Sequence, residues 1–386
     1  MNAAPHHLYV HVPFCRLVCA YCDFVTVGGR GADIDRYVEA VRSEIAVRPA
    51  SGTLRTVYFG GGTPSLLTAE QTDRVMRASL DRWSPSAPEE VTLEANPSAR
   101  ERPDWAGLRT AGVNRVSLGV QSLDDDDLRT IARGHTSAEA REAYADVRAA
   151  GFENVSIDLI YGIPGQGMER WNRILREAVA LAPDHVSLYA LQLALAPDEW
   201  AAPPRRGALR WRRRVADEQD DDIAADQYRC AEEVLDVAGY RHYELSSWAR
   251  PGRESRHNGA YWARRAYTGI GAGAHSYDGR AVRSWNVRDL DGYLARAEAG
   301  ERPMEGCEEL DEPTRAFEAV ALGLRRVDGL RRAEFAAEFA SDPGDRFADA
   351  VAVGLERGLL TVDADSIRLS ATGRLLANDA LEPFAP

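Results

Sequence analysis

Hydrophobic positions in the first two thirds of the chain alternate between two periods. Short apolar runs rich in β-branched residues, such as 8–12 and 154–161, are typical of buried strands. Stretches with helical spacing lie between them, and in 35–47 this spacing places four apolar side chains on one face. About six repeats of this alternation predict an α/β fold with a parallel sheet, either a barrel or an open doubly wound sheet. In both architectures functional side chains gather at the carboxyl ends of the strands.

The pattern changes in the last half of the chain. Prolines, arginines and three consecutive aspartates in 194–222 predict a long, mobile, solvated insertion. Residues 244–278 are irregular and rich in glycine and aromatic side chains, which is typical of a packed functional region. Helical stretches and a short strand pair near 359–369 predict a separate helical or winged-helix-like domain. We therefore divide the chain into a larger α/β domain and a smaller C-terminal domain, over 1–295 and 296–386.

Composition and charge exclude some classes of protein. The chain has 386 residues and a formal net charge of −13. An acidic balance disfavours a nucleic-acid-binding protein, because such proteins contact phosphates through basic side chains. No run of about 18 apolar residues is present, so no transmembrane helix is expected. The first seven residues lack the basic and apolar regions of a signal peptide, so we expect a cytoplasmic protein.

The cysteines are clustered rather than spread along the chain. Three of the five, Cys15, Cys19 and Cys22, form a C-x3-C-x2-C segment. Thiolates are the usual ligands of iron–sulfur clusters, and a [4Fe-4S] cluster normally takes four of them. Three thiolates leave one iron open to chelation by a small molecule. The alternative is a zinc site that takes a fourth ligand such as His11. A set of disulfide bonds is not expected, because it would spread the cysteines along the chain.

Several further motifs surround this cysteine segment in a fixed order. They are Tyr-Val-His-Val-Pro-Phe-Cys at 9–15, Tyr-Phe-Gly-Gly-Gly-Thr-Pro-Ser at 58–65, Leu-Glu-Ala-Asn-Pro at 93–97, Leu-Gly-Val-Gln-Ser at 118–122, Ile-Asp-Leu-Ile-Tyr-Gly-Ile-Pro at 157–164 and Gly-Ala-Gly-Ala-His-Ser at 271–276. Together with the cysteine spacing, these motifs resemble the radical S-adenosylmethionine (SAM) superfamily. Within it, they resemble the oxygen-independent coproporphyrinogen III oxidase group, above all its HemW branch of heme chaperones.

The resemblance implies a partial (β/α)6 radical SAM barrel followed by a small C-terminal domain of the HemN type. It also implies that Cys15, Cys19 and Cys22 hold a [4Fe-4S] cluster whose open iron binds SAM. A reduced cluster would cleave SAM to a 5′-deoxyadenosyl radical, while the protein orients the cofactor and excludes water. The positions that match SAM-contacting residues of the family are Tyr9, Tyr21, Gly61, Gly62, Thr63, Glu94, Gln121, Arg133 and Asp158.

A second set of residues is implied to bind heme. The segment that starts at His257 matches the HNxxYW motif of the HemW branch, which is linked there to heme. Histidine is a common axial ligand of heme iron, so His257 is a candidate ligand and His275 a second one. Flanking arginines are expected to meet the heme propionates, namely Arg253, Arg256, Arg264 and Arg265.

One departure from the oxidase pattern favours the chaperone branch. The oxidases carry another cysteine two residues after the third, and here that position is Phe24. We therefore favour a heme chaperone that binds heme and transfers it to an acceptor protein. Two alternatives stay open. One is a coproporphyrinogen III oxidase that performs oxidative decarboxylation, and the other is a non-catalytic binding protein whose fold a bound metal stabilises. Whether the protein is an enzyme that turns SAM over stays open as well.

The resemblance also implies a set of partners. Heme, a heme-acceptor protein and an electron donor such as flavodoxin or ferredoxin are expected, and nucleic acid is not. Peripheral association with a membrane through the acceptor stays open, as does homodimer formation.

Overall fold

The computed structural model of the protein describes residues 5–50, 52–83, 86–193 and 207–386. Its strands are β1 (Pro5–Val12), β2 (Phe14–Cys15), β3 (Val27–Gly28), β4 (Thr53–Gly61), β5 (Glu90–Ala95), β6 (Arg115–Gln121), β7 (Val155–Tyr161), β8 (His185–Ala190), β9 (Arg241–Glu244), β10 (Ser247–Ala249), β11 (Tyr267–Ile270), β12 (His275–Tyr277), β13 (Val282–Asn286), β14 (Met304–Glu309), β15 (Leu330–Arg331), β16 (Leu360–Val362) and β17 (Ser366–Leu369). Short 3-10 helices lie at Gly31–Asp33, Pro64–Leu66 and Glu382–Phe384.

The α-helices are α1 (Ile34–Val47), α2 (Ala69–Trp83), α3 (Trp105–Thr110), α4 (Asp125–Thr130), α5 (Ser137–Ala149), α6 (Met168–Ala180), α7 (Ala208–Glu218), α8 (Asp221–Val237), α9 (Arg256–Trp262), α10 (Leu290–Glu298), α11 (Glu312–Gly323), α12 (Arg332–Phe339), α13 (Pro343–Arg346), α14 (Ala348–Glu356), α15 (Ala371–Leu375) and α16 (Ala377–Leu381). Polar side chains cap many of their starts. Thr136 and Glu139, for example, form a capping box at α5, and Ser255 caps α9. Among the described residues, none of the helices has the length and hydrophobicity that spanning a bilayer requires.

A twelve-stranded sheet forms the body of the fold. Strands β1, β4, β5, β6, β7 and β8 lie side by side in chain order, all pair in parallel, and α1–α6 connect them. This is the arrangement of a partial (β/α)6 barrel, so the predicted fold class is confirmed. On the β1 edge the sheet continues through β11, which is parallel to β1, and then through antiparallel β12 to β14. On the β8 edge it ends with antiparallel β10 and β9.

Side chains of the parallel strands alternate between two environments. One set packs beneath the helices and is at most 1% exposed, and it includes Leu8, Val10, Val57, Phe59, Leu93, Val116, Leu118 and Ile157. The other set is polar and faces the space that the curved sheet encloses, and it includes Tyr58, Glu94, Arg115, Ser117, Asp158 and Ser187. Because successive strand residues point to opposite faces, the alternation supplies an apolar core and a polar interior cavity at the same time.

The C-terminal part has its own core and its own sheet. Helices α11–α16 surround a three-stranded sheet in the order β15-β17-β16, and the apolar cluster between them runs from Ala316 to Phe384. The strand pair predicted near 359–369 is present as β16 and β17. The predicted boundary at residue 295 falls inside α10, and β14 still pairs with β13 in the large sheet. Residue 310, directly after β14, is therefore a better division.

The part of the predicted insertion at 194–222 that the structure describes is mainly helical. Residues 194–206 lie outside the described residues, but α7 and the start of α8 occupy most of the rest. Arg212 and Val215 lie three residues apart on one face of α7, and both are at most 2% exposed. The arginines that suggested a solvated segment thus include one that packs inside the protein.

Candidate functional site

The cysteine loop follows β1 directly and is fixed at both ends. β2 carries Cys15 and pairs with β3, and the Val27 N–H donates to the Pro13 carbonyl at 2.8 Å. Cys19 and Cys22 lie in a turn closed by a 3.2 Å hydrogen bond from the Cys22 N–H to the Cys19 carbonyl. All three cysteines have free thiols, are half-buried and border one cavity. The structure therefore brings the three predicted ligands to one place.

Helix α7 holds this loop from the outside through Arg212. Its Nε donates to the Ala20 carbonyl at 2.8 Å, and its Nη2 donates to the Cys22 carbonyl at 2.9 Å. Nη2 also lies 2.8 Å from Oδ1 of Asp23. Hydrogen bonds from a charged donor are stronger than those between neutral groups, so Arg212 fixes the path of the loop between two of the predicted ligands.

The cavity beside the thiols encloses about 340 Å³ and lies within the curved sheet. Eight of the nine predicted SAM-contacting residues border it, namely Tyr21, Gly61, Gly62, Thr63, Glu94, Gln121, Arg133 and Asp158. Most of them lie at or near the carboxyl ends of β4 to β7 or directly after them, which is where the sequence pattern places functional side chains.

Tyr9 is the predicted SAM-contacting residue that does not border the cavity. Its ring stacks on that of Tyr58, with centroids 6.2 Å apart and an interplanar angle of 25°. His11 Nε2 donates to the Val25 carbonyl at 2.7 Å, so its Nδ1 accepts the hydrogen bond from the Tyr9 hydroxyl at 3.0 Å. Tyr9 thus packs against Tyr58, which does border the cavity, and its contact with SAM stays a prediction.

Two carboxylates face the cavity with defined partners. Glu94 accepts hydrogen bonds from the Tyr58 hydroxyl at 2.7 Å and from the Gly61 N–H at 3.0 Å. Asp158 accepts one from the Ser117 hydroxyl at 3.1 Å. Burial raises the pKa of Glu94 to about 7, and it also raises the pKa of Asp158 above its ordinary value. Each carboxylate retains lone pairs that suit ammonium or hydroxyl groups of a ligand.

The glycines that end β4 are required by close packing. Gly61 has φ +113°, and a Cβ there would lie 2.5 Å from the His11 ring. A Cβ on Gly62 would lie 2.7 Å from the carbonyl oxygens of Pro13 and Phe14. Since any side chain would collide with the segment that leads into the cysteine loop, glycine lets the β4 end lie against this loop.

Arg133 connects the cysteine loop to the carboxyl end of β6. Its Nη2 donates to the Asn96 side-chain oxygen at 3.1 Å and to the Gly119 carbonyl at 2.8 Å, and its Nη1 lies 3.2 Å from the Cys19 sulfur. Gln121, at the end of the same strand, has φ 63°, a conformation that costs energy for a residue other than glycine. Backbone strain of this kind at a strand end beside a cavity is typical of a functional site.

Three observations test which metal group the cysteine loop suits. Both ring nitrogens of His11 are hydrogen-bonded, which removes the fourth ligand named for the zinc alternative. Within the described ranges, no three His, Cys, Asp or Glu side chains gather closely enough for a single metal ion. In a [4Fe-4S] cluster each thiolate binds a different iron, so the sulfurs stand farther apart. Burial raises the pKa of Cys15 to about 12 and of Cys22 to about 11, so their thiolates need bound cations. The three thiolates suit a cluster that takes three protein ligands, and His11 is not free to complete a zinc site.

His257, the predicted axial heme ligand, lies inside the protein in this structure, and its role as a ligand stays a prediction. Its side chain is 0% exposed, and both ring nitrogens have partners: Nδ1 lies 2.7 Å from the Thr56 hydroxyl and Nε2 lies 2.9 Å from the Tyr261 hydroxyl. The ring also packs on Tyr58, with centroids 5.1 Å apart. Burial lowers the pKa of His257 to about 3. In this position His257 fixes α9 against β4 and leaves no nitrogen for iron.

Two of the four arginines predicted for the propionates are already used in ion pairs. Arg264 lies 2.9 Å from Glu338 and packs over the ring of Phe339, and Arg256 lies 2.9 Å from Glu89. The second candidate ligand is placed differently. His275 is the one exposed histidine of the eight in the chain, and it stacks on Trp285 with centroids 6.0 Å apart.

Three residues of the site were not named as site residues from the sequence, although Asn258 lies in the HNxxYW motif. Arg115 and Asn258 border the cavity, and Arg212 holds the cysteine loop. The inward position of Arg115 follows from the alternation along β6, because Arg115, Ser117 and Gln121 share one face. The buried position of Arg212 could not be predicted in this way, because Arg212 lies in a run of similar arginines.

Comparisons with known proteins agree with this fold. The Radical SAM superfamily matches residues 9–178, and the HemN C-terminal domain matches residues 310–376. Coproporphyrinogen III oxidase (HemN) from Escherichia coli, a solved structure described as a radical SAM enzyme, superposes with a TM-score of 0.83 at 25% identity and covers 99% of this chain and 90% of its own. The fold and site are those of a radical SAM protein, a class that implies a [4Fe-4S] cluster and SAM.

Comparison with curated relatives narrows the class of radical SAM proteins to one family. The heme chaperone HemW of Lactococcus lactis is 35% identical over 384 residues, which are 100% of this chain and 98% of that protein. The heme chaperone HemW of Mycobacterium tuberculosis H37Rv is 37% identical over 98% of this chain and 94% of its own length. The HemW protein of Escherichia coli is 32% identical over 98% of both chains. The chain belongs to the HemW family.

Proposed function

We propose that this protein is a heme chaperone that binds heme and transfers it to an acceptor protein. The observation that carries the proposal is similarity to HemW chaperones over nearly the full length of both chains. The coproporphyrinogen III oxidase alternative is disfavoured at one position. Where the oxidases carry another cysteine, this chain has Phe24, which borders the cavity mouth and is 64% exposed.

Cys15, Cys19 and Cys22 hold the [4Fe-4S] cluster in this proposal, and the cavity beside them holds SAM. When bound, the cluster supplies one-electron reduction of SAM. The protein's own groups bind and orient: Glu94 and Asp158 accept from the ammonium and hydroxyl groups of SAM, and Gly61 and Gly62 let the backbone approach the ligand closely. Thr63, Tyr21, Gln121 and Arg133 complete the wall between SAM and the cysteine loop.

Heme is assigned to His275 rather than to His257. Among the eight histidines of the chain, His275 is the exposed one, and it lies on β12 beside Trp285. An exposed imidazole reaches heme iron without unfolding α9, and an exposed site suits a ligand that must pass to another protein. The aromatic surface of Trp285 can contact a porphyrin edge.

The remaining partners are proposed at the level of chemistry. An electron donor such as flavodoxin or ferredoxin reduces the cluster, and an acceptor protein receives the heme. A membrane-bound acceptor would bring the chaperone to the membrane surface. We also propose that the protein forms a homodimer, which a measurement of its molecular mass in solution would test. A cytoplasmic location suits reduced iron–sulfur chemistry.

An anaerobic assay separates the chaperone from the oxidase. Reconstituted protein is titrated with hemin, and a second sample receives SAM, a strong reductant and coproporphyrinogen III. We expect stoichiometric hemin binding and no protoporphyrinogen IX, whether or not 5′-deoxyadenosine appears. Formation of protoporphyrinogen IX together with 5′-deoxyadenosine would contradict the proposal and would assign the protein to the oxidases.

A further inference from the structure

Helix α7, which holds the cysteine loop, carries its charges in an order that does not stabilise a helix. Its arginines lie in the first two turns, and its acidic residues, Asp217 and Glu218, lie in the last. The amide dipoles of a helix favour acidic side chains at the start and basic ones at the end, so both ends of α7 carry the disfavoured sign. The start also lacks a side-chain cap, because Gly207 precedes it. The charge order of α7 therefore points to a role outside the helix.

Two of these arginines are exposed and unpaired. Arg210 and Arg214 lie four residues apart on the exposed face of α7, where like charges repel each other. Neither has a carboxylate or hydrogen-bond partner among the described residues. Exposed arginines elsewhere show the usual arrangement, as at α2, where Arg77 lies 2.7 Å from Asp73. In a chain with a net charge of −13, an uncompensated pair of arginines suits an acidic partner.

The exposed pair lies next to the predicted cluster. Arg212, on the opposite face of α7, donates to the carbonyls of Ala20 and Cys22. Only the width of one helix, about 10 Å, therefore separates the pair from the cysteine loop. In that loop, Phe24 is 64% exposed, and its backbone N–H donates to the Cys22 sulfur. Exposed aromatic rings are enriched in protein interfaces, so a partner on this face meets a residue that is bonded to a predicted cluster ligand.

A protein fits the exposed face of α7 better than a membrane does. An amphipathic helix binds a bilayer by inserting an apolar face that lies beside its basic face. The apolar side chains of α7 are directed inward instead. Val215 is fully buried, and the Trp211 Nε1 donates to the Thr130 carbonyl at 3.1 Å. The helix thus offers charge without an inserting side chain, which suits the acidic surface of another protein.

We propose that Arg210 and Arg214 of α7, together with Phe24 of the cysteine loop, form the docking surface for a small acidic one-electron carrier protein. The inference rests on the [4Fe-4S] cluster of the proposed function, because it names the surface through which that cluster is reduced. The carrier loses one electron and the cluster gains it, while no bond forms or breaks. The two arginines steer the carrier to this side of an otherwise acidic protein.

The test measures docking and electron transfer separately, with a flavodoxin as the acidic carrier. Binding of the oxidised flavodoxin to the reconstituted protein is measured by titration calorimetry, and cluster reduction by the reduced flavodoxin is followed by the loss of visible absorbance. One double variant, Arg210→Gln with Arg214→Gln, removes both charges, and a second, with lysine at both positions, keeps them. The matched control is Arg77→Gln with Arg357→Gln, which removes two charges from side chains that are 75% and 43% exposed. Dithionite, a small reductant that needs no docking surface, shows whether each variant holds a reducible cluster.

We expect the glutamine variant to weaken flavodoxin binding, and to slow reduction by flavodoxin, by about tenfold at low salt. The difference should shrink at about 1 M salt, where charges are screened within about 3 Å. The lysine variant and the control should match the unmodified protein. Unchanged flavodoxin affinity in the glutamine variant, or an equal loss in the control, would overturn the docking surface.

Two further measurements separate this inference from its neighbours. Vesicles of phosphatidylcholine and phosphatidylserine are tested in parallel, and a glutamine variant that loses only vesicle binding would assign the face to a membrane and overturn the inference. If dithionite reduces no cluster in the unmodified protein, the cluster of the proposed function fails, and calorimetry with flavodoxin still decides the docking surface. A lack of hemin binding would contradict heme transfer without affecting this test.

Discussion

The cysteine loop and helix α9 both carry short motifs, but they present different atoms to the same cavity. The loop turns its three thiols toward the cavity and is held from outside by Arg212. Helix α9 turns His257 into the protein, where both ring nitrogens are bonded, and presents Asn258 to the cavity. In the cysteine loop the reactive thiols border the cavity. In the HNxxYW motif the histidine is buried and holds α9 in place, so that its neighbour Asn258 borders the cavity.

A motif therefore identifies residues that the fold constrains, but not the atoms that meet a ligand. Burial and existing hydrogen bonds decide that question. By this criterion the thiols of the loop remain available, whereas His257 and most of Arg133 do not. The following predictions test this contrast between the two regions.

The largest effect is expected at the cysteine loop. Cys19→Ser should abolish the cluster, because a [4Fe-4S] cluster with an open iron has no spare protein ligand. Iron content and the visible iron–sulfur absorbance after anaerobic reconstitution measure the loss. Cys230→Ser is the control, since Cys230 packs against the core away from the loop. Full cluster content in Cys19→Ser would contradict the assignment of the loop.

The second prediction tests the structural role of His257 through pH. Burial lowers the pKa of His6, His7 and His135 from 6.5 to about 4, and that of His257 to about 3. The unfolded chain binds these protons near pH 6.5 and the folded chain does not. Stability is therefore complete above pH 6.5 and falls toward pH 4, by on the order of 1.4 kcal/mol per pH unit for each histidine.

Denaturant unfolding between pH 7.5 and pH 5 measures this slope. His257→Gln should lower the free energy of unfolding at pH 7.5, since it disturbs two buried hydrogen bonds worth about 1 kcal/mol each. It should also reduce the pH slope by about one proton, which is about 1.4 kcal/mol per pH unit. An unchanged slope would show that the ring of His257 is accessible to protons in the folded protein.

The third prediction concerns the support of the cysteine loop. Arg212→Met removes charged donors to the Ala20 and Cys22 carbonyls, a loss of about 1.5–3 kcal/mol for the loop. Iron should then be lost to a chelator roughly 10 to 100 times faster under anaerobic conditions. The matched control is Arg213→Met, because Arg213 is exposed on the other side of α7. Equal rates in the two variants would mean that α7 does not stabilise the loop.

The smallest effect on ligand binding is expected at Glu94, which borders the same cavity as the cysteine loop and contacts α9 through Tyr58. Burial raises the pKa of Glu94 to about 7, so this carboxyl is protonated and neutral below that pH. If Glu94 accepts from the ammonium group of SAM, SAM affinity should fall by up to about tenfold per pH unit below pH 7. Glu94→Gln should remove this dependence. A flat affinity profile in the unmodified protein would exclude Glu94 as the titrating contact.

Local patterns predicted most of the barrel correctly. The predicted helices and strands from 8 to 191 agree with the structure to within a few residues, because each has a clear apolar period and a polar cap or glycine at its end. In the described part of 194–222, most residues are exposed as predicted, but the run of arginines did not reveal that one of them is buried. One of those side chains satisfies buried carbonyls of a loop that lies 190 residues away along the chain.

The site was predicted in part for the same reason. Thiols, glycines and carboxylates beside the strand ends follow from spacing and resemblance, and eight of nine proposed SAM residues border the cavity. Tyr9 and His257 stay predictions, and the sequence did not reveal that both pack against residues of β4, Tyr58 and Thr56. Those partners depend on strand register, which a single sequence does not reveal.

The most direct test of the account is the absorption spectrum of bound hemin in two single variants. His275→Ala removes the exposed imidazole, and His257→Gln removes the buried one. We predict that His275→Ala loses the ligand-dependent shift of the main heme band, while His257→Gln keeps it. Loss of that shift in His257→Gln with His275→Ala unchanged would contradict the account and return the heme to the HNxxYW motif.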